Sequence, residues 1–194
     1  EGRRESAGPN ARLLYARGCK LVVGRRSFAH PATIDETDRS GFPEAIAAAR
    51  QADVVIMALG EDALQTGEGR SRMELGLAGL QQELLEEIYK VNKKVVLVLM
   101  NGRPLTINWA ADNVPAIVEA WHLGHMSGLA IADVLWGDYN PSGKLPMSFP
   151  YDVGQCPIYY NHKNTGRPST TDGMVFYTHY IDGPREARYP FGFG

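Results

Sequence analysis

Two runs of uninterrupted apolar residues, at positions 54–59 and 95–100, constrain the fold of this chain more than any other feature. Neither run alternates apolar with polar residues, as a strand with one face in water does. Strands that are apolar on both faces are typical of a parallel sheet with helices on each side. The sequence therefore predicts an α/β fold built around a buried, mostly parallel sheet.

Helical patterns alternate with apolar runs along most of the chain. Apolar residues three and four positions apart predict four helices, at residues 42–52, 77–89, 106–112 and 127–135. Shorter apolar runs predict three further strands, at residues 13–16, 116–121 and 145–149. This alternation predicts that helices sandwich the sheet and that the crossovers between its strands are right-handed.

The two ends of the chain differ from this alternating part. Residues 1–7 are charged and precede a Gly-Pro-Asn sequence, which predicts the last turns of a helix. Residues 151–194 lack periodicity but are rich in tyrosine, and aromatic residues are scarce in disordered segments. We therefore expect one α/β domain at residues 1–150, with residues 151–194 packed on it as an ordered, irregular extension.

Composition argues against several classes of function. A net charge of −2, with no run of more than two basic residues, predicts no binding to nucleic acid or to an anionic membrane. The longest strongly apolar stretch is far too short to cross a bilayer. Cys19 and Cys156 lack the spacing of a zinc or redox site, so we expect incidental or buried thiols, with a disulfide left open.

The polar segment at residues 60–72, GEDALQTGEGRSR, follows the first apolar run and precedes a predicted helix. Ligands of open α/β sheets bind in the crevice outside the carboxyl ends of the strands, so this loop is where a site is expected. It contains three carboxylates and two arginines, namely Glu61, Asp62, Glu68, Arg70 and Arg72. On composition alone, the acids would be solvated loop residues and the arginines their ion-pair partners.

Several common catalytic and cofactor motifs are absent from the sequence. The pair Gly67 and Gly69 has Arg72 where a dinucleotide fingerprint needs its third glycine, and there is no phosphate loop. There is also no GxSxG nucleophile elbow and no HExxH motif. His122 and His125 are close enough in sequence to share a metal, but a pair without a third ligand is weak. The sequence thus predicts neither a cofactor nor a metal.

Carboxylate chemistry remains as the hypothesis for this loop. Hydrolysis of a glycosidic bond needs one carboxylic acid that protonates the leaving oxygen and a second carboxylate across the bond. Glu68 lies between two glycines, on a loop able to bring its backbone close to a ligand. Glu61 directly follows the strand and is better placed to fix the loop or to contact a sugar hydroxyl.

The order of several segments resembles the second, α/β-sandwich domain of glycoside hydrolase family 3, in particular that of bacterial periplasmic β-glucosidases. The segments are ADVVIMALGEDALQTGEGRSR, KKVVLVLMNGRPL, AIADVLWGDYNPSGKLPMSFP, PIYYNHKNTGRP and RYPFGFG. The resemblance implies retaining hydrolysis of terminal β-D-glucosyl residues through a covalent glycosyl-enzyme. It implies that Glu68 is the acid/base, and that Glu61, Arg70 and Arg72 bind substrate or shape the loop. It also implies a periplasmic or secreted protein.

The chain departs from the family in ways that matter for activity. Met126 stands where the family usually has an acid or amide, and His122 where an aromatic residue is usual. The family's nucleophile is an aspartate on a preceding TIM-barrel domain, which these residues lack, and the first strand of the sandwich is missing too. We therefore expect a fragment that is inactive alone and that needs the barrel as its partner. Its uncovered sheet edge makes a homodimer possible.

Two other functions are compatible with the sequence. In a non-catalytic carbohydrate-binding or docking module, the tyrosine-rich extension with Trp121 and Trp136 would serve packing or sugar stacking. A family 3 enzyme, by contrast, would hydrolyse an oligosaccharide or an aryl β-glucoside. A flavodoxin-like nucleotide or flavin domain fits the fold, but the phosphate loop is absent.

Overall fold

The computed structural model of the chain describes residues 8–164, 166–168 and 174–194, which form two compact units. The first unit comprises the chain up to Ser71 together with residues 77–103 and 109–141. The second comprises residues 72–76, 104–108 and 142–194. The helix end predicted at residues 1–7 lies outside the described residues, and the predicted domain boundary after residue 150 stays a prediction.

Strands and helices alternate in the first unit and at its borders. The described strands are β1 (Val22–Val23), β2 (Thr33–Ile34), β3 (Val55–Gly60), β4 (Val95–Met100) and β5 (Ala116–Glu119). The helices are α1 (Phe42–Gln51), α2 (Gln81–Val91), α3 (Asn108–Asn113) and α4 (Ser127–Trp136). Two short 3-10 turns lie at Ala63–Gln65 and Val153–Gln155.

The central sheet has the order β3-β4-β5, and all of its pairings are parallel. Leu59 pairs with Leu99, and Leu99 pairs with Glu119, so the three strands end at nearly the same level. The α/β class and the parallel sheet that the sequence predicts are confirmed. The loops after all three strands consequently meet at one edge of the sheet.

The core of the first unit lies between the sheet and α2. Leu85 and Leu97 are completely buried, and Leu84, Ile88 and Val95 are nearly so. Each such side chain contributes roughly 1.5–3 kcal/mol when it is removed from water. The apolar face of α2 therefore fixes the helix on the sheet, and the polar residue Gln81 at its start is carried to the carboxyl end of β3.

Helix α2 begins four residues later than the sequence predicts. Gly79, at φ +64°, adopts a left-handed conformation that an α-helix does not contain. A side chain could not replace it, because a Cβ there would lie 2.6 Å from the Asp35 backbone oxygen. Residues 77–80 are consequently a turn, and the helix starts at Gln81.

Three strand predictions need correction. Residues 13–16 form no strand, because none of the described strands pairs with them through backbone hydrogen bonds. The strand predicted at 116–121 ends at Glu119, since Trp121 turns the backbone to φ +52°. The strand predicted at 145–149 is reduced to an isolated antiparallel bridge between Phe149 and Tyr189.

The long loop at residues 18–41 contains a short element that the sequence does not reveal. Strands β1 and β2 pair antiparallel, with Val22 opposite Ile34. Two-residue strands are too short to leave a periodic pattern. The following Asp35 accepts hydrogen bonds at 3.0 Å from the backbone N–H groups of Thr37 and Asp38, so it closes a turn.

The described residues between 151 and 194 are largely irregular, and polar side chains hydrogen-bond to their backbone in place of a strand ladder. Gln155 is buried, and its amide nitrogen donates to the carbonyls of Pro184, at 2.7 Å, and Glu186, at 3.2 Å. Its side-chain oxygen accepts the Tyr151 N–H at 2.6 Å. One side chain thus links three parts of the extension.

Two further sequence questions are answered by the described residues. Cys19 and Cys156 are both free thiols, so the disulfide left open by the sequence is not formed. Among the described helices, none is long and apolar enough to span a bilayer.

Candidate active site

Gly60 ends β3 and turns the chain into the loop at residues 60–72. Its φ of +144° and its closeness to β4 both require glycine, because a Cβ would lie 2.1 Å from the Met100 backbone oxygen. The Gln81 side chain bonds to both backbone groups of Gly60, accepting from its N–H and donating to its carbonyl, each at 2.8 Å. The start of the loop is therefore fixed by backbone packing and by α2.

Glu61 connects the end of β3 with the turn after β4. Its side chain is only 1% exposed, and one carboxylate oxygen lies 3.0 Å from Arg103 Nε. The other oxygen accepts the Gly102 N–H at 3.1 Å. Of the two roles that the sequence allows for Glu61, this burial favours fixing the loop over contact with a sugar hydroxyl.

Asp62 caps the 3-10 turn that follows and binds the long loop at residues 18–41. Its side chain accepts the Leu64 N–H, while the Gln65 side chain accepts the Asp62 N–H, both at 2.9 Å. Arg26 forms a bidentate pair with the Asp62 carboxylate, at 2.8 and 2.9 Å. Burial raises the pKa of Asp62, but the hydrogen bonds from Arg26 and Leu64 outweigh it and lower the pKa below the usual range.

Glu68 lies at the tip of a tight turn and is exposed to solvent. The Arg70 N–H donates to the Gly67 carbonyl at 3.2 Å, which closes the turn around Glu68. The Arg70 guanidinium donates to the backbone carbonyls of Phe28 and His30. An exposed carboxylate is thus carried on a loop that is held from both sides, through Asp62 before it and Arg70 after it.

Arg72 has a different environment from Arg70. It lies in the second unit, where its guanidinium donates to the Gly76 carbonyl at 3.1 Å. The described contacts give these residues different partners. Arg70 holds the Glu68 turn, Glu61 pairs with Arg103, and Arg72 bonds to Gly76 within the turn at residues 72–76.

Glu119, at the end of β5, is a residue that the sequence analysis missed. Its carboxylate accepts the Trp121 N–H at 2.8 Å and a hydrogen bond from the Asn101 amide at 3.2 Å. Burial raises the pKa of Glu119 to about 7, although both hydrogen bonds oppose that shift. The signal in the sequence was a single charged residue inside the apolar run at residues 116–121.

The loops after β3 and β5 meet over Gly102, which follows β4. A Cβ on Gly102 would lie 2.7 Å from Thr66 Cγ2 and 3.2 Å from His122 Cδ2, so both side chains pack on the bare glycine. Thr66 is two residues from Glu68 in sequence. His125 and Met126, further along the β5–α4 loop, are exposed. The described residues contain no cluster of three or more metal-ligating side chains.

This arrangement is suited to proton transfer by one carboxyl group. Glu68 is exposed on a held turn, whereas the other carboxylates at this edge, Glu61, Asp62 and Glu119, are engaged in hydrogen bonds and partly or fully buried. A retaining glycosidase needs a second carboxyl group about 5–5.5 Å from the first. Glu61 is buried and Asp62 and Glu119 are half-buried, so none of these three is an exposed second carboxylate.

A sequence profile described as the Glycosyl hydrolase family 3 C-terminal domain matches residues 6–194. The chain belongs to glycoside hydrolase family 3. The profile covers nearly all of the chain, so the family 3 assignment applies to both compact units. The resemblance stated from the sequence is confirmed.

Individual family 3 proteins give the same result. A β-xylosidase of Formosa agariphila is 41% identical over all of this chain, which covers 24% of that protein. A periplasmic β-glucosidase of Salmonella typhimurium is also 41% identical, with 26% of its length covered. A crystal structure of a β-glucosidase from Listeria innocua in complex with isofagomine matches 82% of this chain, and 23% of its own, with a TM-score of 0.79 and 42% identity. The family 3 chain thus spans about a quarter of these relatives.

Proposed function

We propose that this chain is the acid/base domain of a retaining, exo-acting β-glucosidase and that Glu68 is the catalytic acid/base. The observation that carries the proposal is the exposed Glu68 at the tip of a doubly held turn, at the carboxyl ends of three parallel strands. As an acid it would protonate the leaving oxygen, and as a base it would then activate the water that hydrolyses the glycosyl-enzyme.

The nucleophile in this proposal lies outside the chain. Because the chain spans about a quarter of its relatives, a further domain has room to supply the second carboxylate. The resemblance to the family assigns it to an aspartate on an N-terminal TIM barrel. The 194-residue chain alone is then inactive, since a held general acid without a nucleophile cannot form the covalent intermediate.

The substrate in the proposal is a terminal β-D-glucosyl residue on an oligosaccharide or an aryl aglycone. The relatives from Salmonella and Listeria are β-glucosidases, which supports a glucoside, whereas the Formosa relative is a β-xylosidase. The Salmonella relative is periplasmic, which supports a periplasmic or secreted location here as well.

Substitution of Glu68 in a full-length protein that contains this chain tests its role. Glu68→Ala should reduce kcat by about 10²-fold or more on glucosides with poor leaving groups, because these need protonation. Aryl glucosides with good leaving groups need it less and should be affected less in their glycosylation step. Glu74→Ala removes an exposed carboxylate nearby in sequence and serves as the control. Equal activity of Glu68→Ala and Glu74→Ala on poor leaving groups would end the assignment.

Exposed aromatic residues of the second unit favour one alternative, a carbohydrate-binding or docking module. Tyr160 is 71% exposed and stacks on Phe191 with ring centroids 4.4 Å apart, and Tyr159 beside it is 61% exposed. Rigid exposed rings are suited to stacking on sugars. Calorimetric titration of the isolated chain with cello-oligosaccharides distinguishes the two functions. Tight binding that is abolished by Tyr160→Ala would favour a binding module. An incomplete glucosidase site should bind weakly.

A further inference from the structure

Trp121 is the one residue other than glycine with a positive φ among the described residues, at +52°. Left-handed backbone is unfavourable for a bulky side chain and persists only where the surroundings enforce it. The contact that faces the Trp121 backbone is the hydrogen bond from its N–H to the Glu119 carboxylate, at 2.8 Å. The left-handed turn at Trp121 therefore begins two residues after Glu119, whose side chain is half-buried.

Charged residues lie on the elements next to Glu119 along the chain, but within the part of the chain that the structure describes no ion pair to Glu119 is found. Glu61 and Arg103, at the ends of β3 and β4, pair with each other. His122 follows on the same loop, and the helices before and after β5 carry Asp112 on α3 and Asp133 on α4. Among the described residues, the donors to the Glu119 carboxylate are Asn101 and the Trp121 N–H. Its ionisation is therefore governed by burial and by these two donors.

The turn at Trp121 is linked to the loop that carries Glu68 through side-chain packing on Gly102. His122 follows Trp121 directly and packs against Gly102, on the same bare surface that Thr66 occupies. Thr66 belongs to the loop at residues 60–72 and lies two positions before Glu68. A change in the Trp121 backbone would move His122 and disturb the contact under Thr66.

We propose that Glu119 is a positioning residue whose ionised carboxylate holds the left-handed turn at Trp121 and so seats His122 and Thr66 beneath the Glu68 turn. A carboxylate accepts a stronger hydrogen bond from an N–H group than a neutral carboxyl or amide does. The hold on the turn is thus present when Glu119 is ionised and weakens when it is protonated. The consequence for catalysis rests on the proposed role of Glu68, whereas the consequence for the turn does not.

Nuclear magnetic resonance of the 194-residue chain tests the structural part without any activity. The Trp121 backbone amide should shift with pH in a step whose midpoint is near the Glu119 pKa of about 7, and the amides of Thr66 and Gly102 should follow. In Glu119→Gln the step should vanish at all three amides. His122→Asn is the matched control because it removes the imidazole next to Trp121, and the Trp121 step should persist in it.

Kinetics of a full-length protein test the catalytic part. Relative to the wild type, Glu119→Gln should lower kcat about tenfold at pH 8, where the wild-type carboxylate is charged, and less than about twofold at pH 5.5, where it is neutral. KM should change little, since the turn positions Glu68 for proton transfer. Glu44→Gln, on the exposed side of α1, should match the wild type at both values of pH.

The proposal is overturned if the Trp121 amide shows no step, if its step survives in Glu119→Gln, or if Thr66 and Gly102 do not follow it. It is likewise overturned if Glu119→Gln loses the same factor in kcat at both values of pH, as a purely structural defect would. Full activity of Glu68→Ala would remove the proposed function instead, and the resonance steps would still decide the role of Glu119.

Discussion

At the scale of single residues, the acids at the carboxyl ends of the strands differ in their exposure to solvent. Glu61, with a side chain 1% exposed, and the half-buried Glu119 tie the strand ends to the turns after β4 and β5. Glu68 is the acid that the turn presents to solvent. Its two flanking glycines and its place after a strand are local features that made Glu68 a candidate, and the family resemblance implied its role as acid/base. Glu119 escaped prediction because its burial comes from residues distant in sequence.

The buried acid Glu119 predicts a dependence of stability on pH. Its pKa rises from its ordinary 4.5 to about 7 in the folded chain, so the folded state binds more protons than the unfolded state between these values. Its contribution to stability is therefore fully present below about pH 4.5 and is lost as pH rises to about 7. Relative to Glu119→Gln, the wild type should lose roughly 3 kcal/mol of unfolding free energy over this range. Urea unfolding at several values of pH measures this, and parallel curves for the two proteins would contradict it.

Gly60 predicts a second effect at the residue scale. Gly60→Ala should destabilise the first unit by about 3 kcal/mol or more, because the new Cβ would lie 2.1 Å from the Met100 backbone oxygen, which cannot rotate away. Gly143→Ala is the matched control, since a Cβ at Gly143 meets no atom within 4 Å. Urea unfolding of both variants checks the prediction, and it is wrong if they are equally stable.

At the scale of elements, the central strands β3 and β4 could be predicted from the sequence, but the edge of the sheet could not. The uninterrupted apolar runs predicted β3 and β4, whose burial on both faces leaves a clear pattern. The segment at residues 13–16 has the composition of a strand but no partner, and a strand depends on its neighbour as much as on its own residues. Between this segment, α1 and β3 lies an apolar groove of about 340 Å³.

The open edge of β3 predicts self-association of the isolated chain. Val54, just before this edge strand, and Ile56 within it are 52% and 44% exposed, and an unpaired apolar edge favours pairing with another chain. Sedimentation velocity should show a concentration-dependent dimer that Ile56→Lys weakens by about tenfold or more, because a charge in such an interface is costly. Met73→Lys, at a more exposed apolar residue in the second unit, is the control. A wild-type chain that stays monomeric, or equal effects of both substitutions, would contradict the homodimer.

At the scale of the whole molecule, the proposed function needs a second carboxylate from outside the chain. The chain spans about a quarter of the relatives that it matches, and of Glu61, Asp62, Glu68 and Glu119 only Glu68 is exposed. The fold class and the position of the Glu68 loop could be predicted from the sequence, because both depend on patterns of neighbouring residues. The Arg26 pair with Asp62 and the packing over Gly102 could not, since they join segments at least 20 residues apart.

The role of Glu68 is tested most directly by the product that Glu68→Ala forms in the presence of azide, in a full-length protein that contains this chain. With the nucleophile intact and the base removed, azide should attack the glycosyl-enzyme from the face where water normally enters. Two displacements retain configuration, so the account predicts faster turnover with azide and a β-glucosyl azide as product. An α-glucosyl azide would make Glu68 the nucleophile instead. Full activity of Glu68→Ala, with no effect of azide and no azide product, would contradict any catalytic role for this residue.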